Sequence, residues 1–368
     1  MTDKITVRAE AERLFAFFKA SGAMPVDADL LQPADTLLDL YGEDIRARAY
    51  VTQDPNRGEM MLRPDFTVPV VQTHMEHGGE PARYTYLGEV FRKQQADSGR
   101  ATEYLQVGYE LFDREDPERA DAEVFSLFNE VLSPLGLRPA TGDIGILKAA
   151  VETLTTTDRR KGALMRHIWR PRRFRALLDR FTGRVEMDAA RKALLDRVNK
   201  DGAETVVDRA GAEIGLRSRA DVLARIAVLQ TDATEPPISR SEAEVLDVIL
   251  SLRETLPNAH QNLRDITVDL PGMAPSVDRM ARRMDALAAA GISVEDLPFE
   301  ASFGRTTLEY YDGFVFGFIA EGRPDLPPVA TGGRYDALTR VLGRGQEIPA
   351  VGGVIRPELV QQLREGLA

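Results

Sequence analysis

The stretch YLQVGYELFD, residues 104–113, decides how the chain is read. Its tyrosines, leucines, valine and phenylalanine favour a pleated strand, and side chains on a strand alternate between two faces. Leu105, Val107, Tyr109 and Leu111 therefore share one face, suited to packing on helices. Gln106, Gly108 and Glu110 share the other: an amide and a carboxylate roughly 13 Å apart, with only a hydrogen between them. Either a small zwitterion or cation lies on the glycine floor, or the face is solvated and Gly108 marks a bulge. Neighbouring stretches repeat the pattern. In YTYLGEVFR (84–92), Gly88 and Arg92 share a face, and TLEYYDGFVF (307–316) offers Tyr310, Tyr311 and Gly313. Three strands with gaps beside polar rims favour the ligand reading.

Outward from this stretch, ARYTYLGEVFRK (82–93) and TEYLQVGYELFD (102–113) are joined by the polar QQADSGR, which predicts an antiparallel hairpin. Upstream lies RARAYVTQ (46–53). EMMLRPDFTVPVVQTHMEHGG (59–79) reads as strand, Pro64-led turn, helix and a Gly78-Gly79 stop. An apolar stripe of Leu14, Phe15 and Phe18 predicts an N-terminal helix over 2–20. Downstream, helices are expected over 121–132 and over TGDIGILKAAVETL (141–154). From about 158 to 256, strand signals give way to helical periodicity rich in Arg, Ala, Leu and Asp. Strand signals return in ITVDL (266–270), TLEYYDGFVFGFIA (307–320) and PPVATGGRYDALTRVL (327–342). The prediction is an α+β domain with a mostly antiparallel sheet, built from 1–157 and 258–368 and interrupted by a helical insertion at 158–257.

The 368 residues are 43% hydrophobic and 29% charged, as in ordinary globular proteins. A net charge of -11 provides no global basic field, so nucleic acid is not the expected partner. With no cysteine, disulfides, thiolate metal sites and a cysteine nucleophile are excluded. Neither a signal peptide nor an apolar run of bilayer-spanning length is present, so a cytoplasmic chain away from membranes is expected. Other constellations carry less chemistry. His74 and His77 in HMEH lack a third metal ligand, and as cations they would suit a helix C-terminus. TGGRYD lacks the Lys-Ser/Thr of a phosphate-binding loop and reads as a tight strand-to-helix turn. RHIWRPRRFR (166–175) is basic with interleaved aromatics. A solvated face or a subunit contact is favoured over an RNA surface there. With four histidines and no nucleophile elbow, no Ser-His-Asp triad is defensible.

Five segments taken together resemble the catalytic core of class II aminoacyl-tRNA synthetases of the histidyl type. MLRPDFTVPV (61–70) is similar to that family's Leu-Arg-Pro-Glu-x-Thr segment. YLGEVFRKQQADSGRATEYLQVGYELF (86–112) is similar to its second class motif. LEYYDGFVF (308–316) and ATGGRYDAL (330–338) are similar to its two histidine signatures, and PAVGG (349–353) to the start of the third class motif. The resemblance implies that Asp65 and Thr67 hold the amino group of a bound histidine and that Gln106 bridges its amino and carboxylate ends. It also implies that Glu110 and Tyr311 face the imidazole, that Tyr310 shapes the wall, and that Arg92 marks a vestigial ATP-phosphate position. These assignments suit the groups concerned.

The departures set the expected function. Where the synthetases carry an adenylation arginine, this chain has Thr306, with Arg305 one residue off and expected on the opposite strand face. Thr102 falls on the second arginine of the motif 2 loop. Leu359 falls on the ATP-binding arginine of the third motif, with Pro357 where a helix interior is expected and Arg356 able to substitute only in a shifted register. Losing one stabilising cation commonly costs a few kcal/mol in the transition state, so synthetase activity is expected to be lost. The chain also stops soon after the third motif, so no anticodon-reading domain is expected. This combination resembles the regulatory subunits of ATP phosphoribosyltransferase. It implies a non-catalytic partner of the short-form catalytic subunit, a homodimer within a hetero-octamer, activating the first step of histidine biosynthesis and responding to L-histidine, with no cofactor and no metal. A histidine-adenylating enzyme without tRNA specificity and a free-standing histidine sensor are the alternatives.

Overall fold

The computed structural model describes residues 3–35, 48–94, 101–211, 216–305 and 310–367. Thr306 and most of the QQADSGR connection lie outside the described residues. The chain divides into two compact units, Met1–Ala149 with Ile249–Ala368 and, between them, Ala150–Val248. The sequence-based divisions fell at 157/158 and 257/258. No helix among the described residues is long and apolar enough to cross a membrane.

The first unit contains β1 (Met24–Pro25), β2 (Leu31–Pro33), β3 (Val51–Asp54), β4 (Gly58–Leu62), β5 (Ala82–Phe91), β6 (Glu103–Phe112), β7 (Arg138–Asp143), β8 (Arg253–Thr255), β9 (Pro298–Glu300), β10 (Phe314–Ile319), β11 (Ala330–Arg334) and β12 (Ala350–Ile355). Its helices include α1 (Lys4–Ala20), α2 (Thr67–His77) and α3 (Pro117–Leu132). Helix α4 (Ile144–Thr153) spans the division. The second unit is helical, with α5 (Asp158–Met165), α6 (Pro171–Phe181), α7 (Ala189–Asp201), α8 (Ala203–Asp208), α9 (Arg219–Thr234) and α10 (Arg240–Ser251). The first unit resumes with α11 (Leu256–Ile266), α12 (Ala274–Ala289), α13 (Asp336–Leu342) and α14 (Pro357–Leu367).

Nine strands form the main sheet in the order β1-β5-β6-β12-β11-β10-β7-β9-β8. The run from β5 to β7 is antiparallel throughout, and parallel pairs join β1 to β5 and β7 to β9. A second sheet of order β2-β4-β3 is antiparallel. The expected hairpin is β5–β6, in register from Ala82 opposite Phe112 to Phe91 opposite Glu103.

Alternation divides the sheet into two unlike faces. On one, Phe314, Phe316 and Phe318 of β10 meet Phe125 of α3 at centroid separations of 5.5–6.4 Å. Phe128 of α3 lies 5.4 Å from Phe316, and Phe18 of α1 bridges Phe128 and Tyr109. Gly332 is required here: a Cβ would sit 2.2 Å from the Phe316 ring. The opposite face carries Gly108, Glu110, Gly352 and Gly333.

Several sequence expectations need correction. TGD of TGDIGILKAAVETL ends β7, and the helix begins only at Ile144. ITVDL is not a strand. Ile266 closes α11, and the segment after it turns back on the helix through Thr267 and Leu270 amides. Ile266 and Leu270 are buried at a helix end while Val268 is exposed, a pattern too short to separate from a strand by period alone. Pro357 does not interrupt a helix; it begins α14, where its missing N–H is no loss. Arg305 sits buried in a turn segment, so strand alternation does not decide its direction.

A buried ionic cluster ties these layers together. Each carboxylate oxygen of Asp121 in α3 takes a different arginine: Oδ2 accepts from Arg283 of α12 at 2.7 Å, and Oδ1 from Arg334 of β11 at 2.7 Å. Arg283 also donates to Asp143 at the end of β7 (2.8 Å), and Arg334 to Asp336 (3.0 Å) and the Pro117 carbonyl (2.6 Å). Asp121 is wholly buried. Removing one member of such a set strands charge without water. Asp121→Ala is expected to cost about 3–5 kcal/mol, read as a fall in the urea midpoint with an unchanged slope.

Candidate functional site

Glu110 lies at the centre of the glycine-lined face, and three hydroxyl groups converge on it. Its Oε1 accepts from Thr67 Oγ1 and from Tyr86 Oη, each at 3.0 Å, and its Oε2 accepts from Tyr335 Oη at 2.7 Å. Thr67 opens α2 directly after the LRPDF turn, Tyr86 projects from β5, and Tyr335 follows β11. Tyr310 Oη donates to Thr67 Oγ1 at 3.3 Å, and its ring packs edge-on against Tyr311 at 4.9 Å. The Tyr311 ring lies over Gly333, where a Cβ would be 2.9 Å away. Of the sequence-predicted residues, Thr67, Glu110, Tyr310 and Tyr311 are thus brought together, all buried.

The glycine gaps are not open. Tyr86, opposite Gly108 in the β5–β6 register, lays its ring across that glycine, and a Cβ there would be 2.1 Å from the ring. Phe66 stacks on Tyr86 at 4.4 Å with the planes 10° apart, and the Arg63 guanidinium covers Phe66 at 3.9 Å. A Cβ on Gly88 would meet both Arg63 and Phe66. Gly313, likewise, faces the aliphatic stem of Arg334. The expected ligand floor is therefore occupied by an Arg63–Phe66–Tyr86 stack, whose flat groups need bare backbone beneath them. Arg63 is fixed by the Glu89 and Ala28 carbonyls.

Gln106 is buried at 1% exposure, and its Oε1 has no hydrogen-bond partner among the described residues. Asp65 and Arg92, assigned by resemblance to the histidine amino group and to an ATP-phosphate position, face each other with Oδ2 and Nη2 3.8 Å apart. Arg92 Nε donates to the Pro64 carbonyl at 2.8 Å. Arg356 donates to the Pro328 carbonyl at 2.5 Å. His74 is stacked 3.9 Å from Phe112 and pairs with Tyr84 Oη at 3.1 Å. Burial lowers its pKa, so it packs as a neutral ring and not as the helix-end cation expected; the His77 side chain lies outside the described residues. No cluster of three or more potential ligands among the described residues could hold a metal.

Sequence reasoning missed Tyr86, Tyr335 and Gly352. Tyr335 stood in the quoted ATGGRYD, but its partner is set by chain reversal at α13. Gly352 pairs with Glu110 across β12–β6, and a Cβ there would lie 1.5 Å from Glu110 Oε2. Gly352→Ala is therefore expected to lose stability by at least ~1–3 kcal/mol. Gly366→Ala in α14, with open space around it, is expected to lose no stability and serves as the control in the same thermal melt.

Burial pushes the Glu110 carboxyl up to about 7, against the opposing pull of the Tyr335, Tyr86 and Thr67 hydroxyls. The same burial raises the Tyr86, Tyr335 and Tyr311 phenols. The folded chain thus holds the Glu110 proton to higher pH than the unfolded chain does. This contribution is complete below about 4.5 and is lost as pH rises towards 7. Glu110→Gln should remove on the order of 3 kcal/mol of pH-dependent stability across that window. Urea titrations of both proteins from pH 4.5 to 8 measure it. Asp336, raised to about 6, titrates in both and cancels in the difference.

An antiparallel sheet with a buried carboxylate, a threonine at a helix start and paired tyrosines defines a class II synthetase-like domain of the histidyl type. The family model for histidyl-tRNA synthetase matches residues 4–237 and 223–360. An ATP phosphoribosyltransferase regulatory subunit from Brucella anthropi is 31% identical over 352 residues, covering 92% of each chain. One from Agrobacterium fabrum is 33% identical over 360 residues, covering 93% of each. A crystal structure of an ATP phosphoribosyltransferase regulatory subunit/histidyl-tRNA synthetase from Bacillus halodurans superposes with a TM-score of 0.65 at 20% identity, covering 99% of this chain and 81% of that one. The chain belongs to the histidyl-tRNA synthetase family and, within it, to the ATP phosphoribosyltransferase regulatory subunits.

Proposed function

We propose that this chain is a non-catalytic, cytoplasmic subunit that activates a short-form ATP phosphoribosyltransferase in the first step of histidine biosynthesis and carries its feedback response to L-histidine. The observation that supports this most is the pairing of a kept pocket with lost cations. Glu110, Thr67, Tyr310 and Tyr311 remain assembled, while Thr102 and Leu359 stand where the resemblance expects arginines. Adenylation concentrates negative charge on phosphorus, and each missing donor or cation costs about 2.7–4 kcal/mol. Holding an imidazole needs only an acceptor and an aromatic wall.

In this reading the imidazole N–H of histidine donates to Glu110 in place of one of its three hydroxyls, and Asp65 and Gln106 hold the amino-acid end. Regulation then requires histidine to bind the active and inhibited states of the complex with different affinity. The proposed assembly is a homodimer of this chain within a hetero-octamer, its core made of 1–157 with 258–368 and its insertion of 158–257.

Mixing the chain with a short-form catalytic subunit should raise phosphoribosyl transfer and make it histidine-sensitive; no gain in either sinks the proposal. Histidine-dependent ATP–pyrophosphate exchange should stay at background, whereas exchange at a synthetase-like rate would favour an adenylating enzyme. Calorimetric titration of histidine should lose at least tenfold in affinity with Glu110→Gln. An unchanged value would move the inhibitory site away from this pocket.

A further inference from the structure

Within the helical unit, a cavity of about 180 Å³ is lined by α5, α6, α9 and the segment following α5. That is many times the roughly 10–15 Å³ that admits one water. Five arginines face it, Arg159, Arg160, Arg166, Arg180 and Arg225, against a single carboxylate, Asp232. In a chain of net charge -11, such a local excess calls for a physical reason.

The one acid is already used. Asp232 Oδ1 accepts from Arg160 Nε at 2.9 Å, and its Oδ2 accepts from Arg191 of α7 at 3.1 Å. Arg160 also donates to the Pro236 and Asp232 carbonyls at 2.7 and 2.8 Å, so it is a fixed strut. Among the described residues, Arg159, Arg166, Arg180 and Arg225 form no ion pair with a carboxylate. Arg159 donates to the Val228 carbonyl, and Arg180 stands over the Phe181 ring at 4.7 Å. Partial burial, and then neighbouring arginines, hold the Arg159 and Arg180 guanidiniums below the ordinary arginine value. Gathering unpaired guanidiniums around one hollow costs repulsion that an anion in the hollow would reverse.

We propose that this cavity binds a small, multiply charged phosphate anion of the pyrophosphate class, held by Arg166, Arg180 and Arg225 and backed by the Arg160–Asp232 pair. Guanidinium forks match phosphate oxygens two at a time, and pyrophosphate offers more such edges and more negative charge to several arginines than a carboxylate of equal size. The concavity favours a compact anion over a nucleic-acid backbone, which would need an open basic stripe. Within RHIWRPRRFR, Arg175 is paired with Asp247, which Arg184 also engages at 2.7 Å.

The test is calorimetric titration of inorganic pyrophosphate, and of phosphate, into the full chain. One saturable pyrophosphate site is expected, weakened at least tenfold in an Arg166→Ser/Arg225→Ser double variant and weakened by added salt. Both side chains are exposed, and unchanged circular dichroism of the variant confirms its fold. Pyrophosphate should also raise the Tm of the parent chain and leave that of the variant unmoved. Equal affinity in the variant overturns the proposal. So does a chain that ignores pyrophosphate but binds a single-stranded RNA oligonucleotide through the same arginines. The measurement uses neither histidine nor a catalytic partner, so its outcome is independent of the regulatory reading.

Discussion

Asp121 gives the domain its coherence, because a buried carboxylate between two arginines can be satisfied in only one arrangement of three elements. Its oxygens fix α3 against α12 through Arg283 and against β11 through Arg334. Hydrophobic packing of Phe125 and Phe128 on β10 would tolerate a helix sliding by a fraction of a turn, but the ionic cluster does not. The Coulomb gain within the cluster offsets much of the desolvation of five charges, and the remainder appears as positional restriction and not as net stability.

That restriction reaches the site through one residue step. Arg334 points to the helix-covered face and meets Asp121, while Tyr335, next in the chain, meets Glu110. Asp336 then accepts from the Ala350 amide, and the Asp312 carboxylate accepts from the Asp336 and Ala337 amides at the start of α13. A single stretch, GRYD, thus carries the structural cluster on one side of the sheet and the pocket on the other. Substitutions that preserve the fold at this turn therefore also preserve the pocket's geometry, whatever the pocket is used for.

Much of this was legible in advance, and what was not has a physical explanation. The hairpin and its two faces follow from period-2 alternation, and Tyr109 and Glu110 fall on opposite sides as alternation requires. What the glycines admit is a different matter. Gly108 and Gly88 were read as room for a ligand, yet the room is taken by Tyr86, Phe66 and Arg63. A glycine states that something approaches the backbone, not whether it is a ligand or another side chain. Gly352 and Tyr335 were out of reach because their relation to Glu110 depends on which strand lies next to β6. That strand is β12, some 240 positions later. β8 and β9, three residues each, were missed for a related reason: their partners rather than their own periodicity make them strands.

Glu110 is the point at which three separate elements meet through their hydroxyls. In the proposed reading, a ligand that takes the place of Tyr86, Tyr335 or Thr67 on Glu110 frees a hydroxyl, and each of these belongs to a different element. The freed hydroxyl then carries the change to β5, to the β11–α13 turn or to the start of α2. Coupling to a distant surface requires two discrete arrangements of such a network. The proton that Glu110 holds near pH 7 acts on the same choice: the neutral acid can donate to one of those oxygens, whereas the carboxylate can only accept. Ligand, proton and hydroxyl network therefore compete for the same two oxygen atoms.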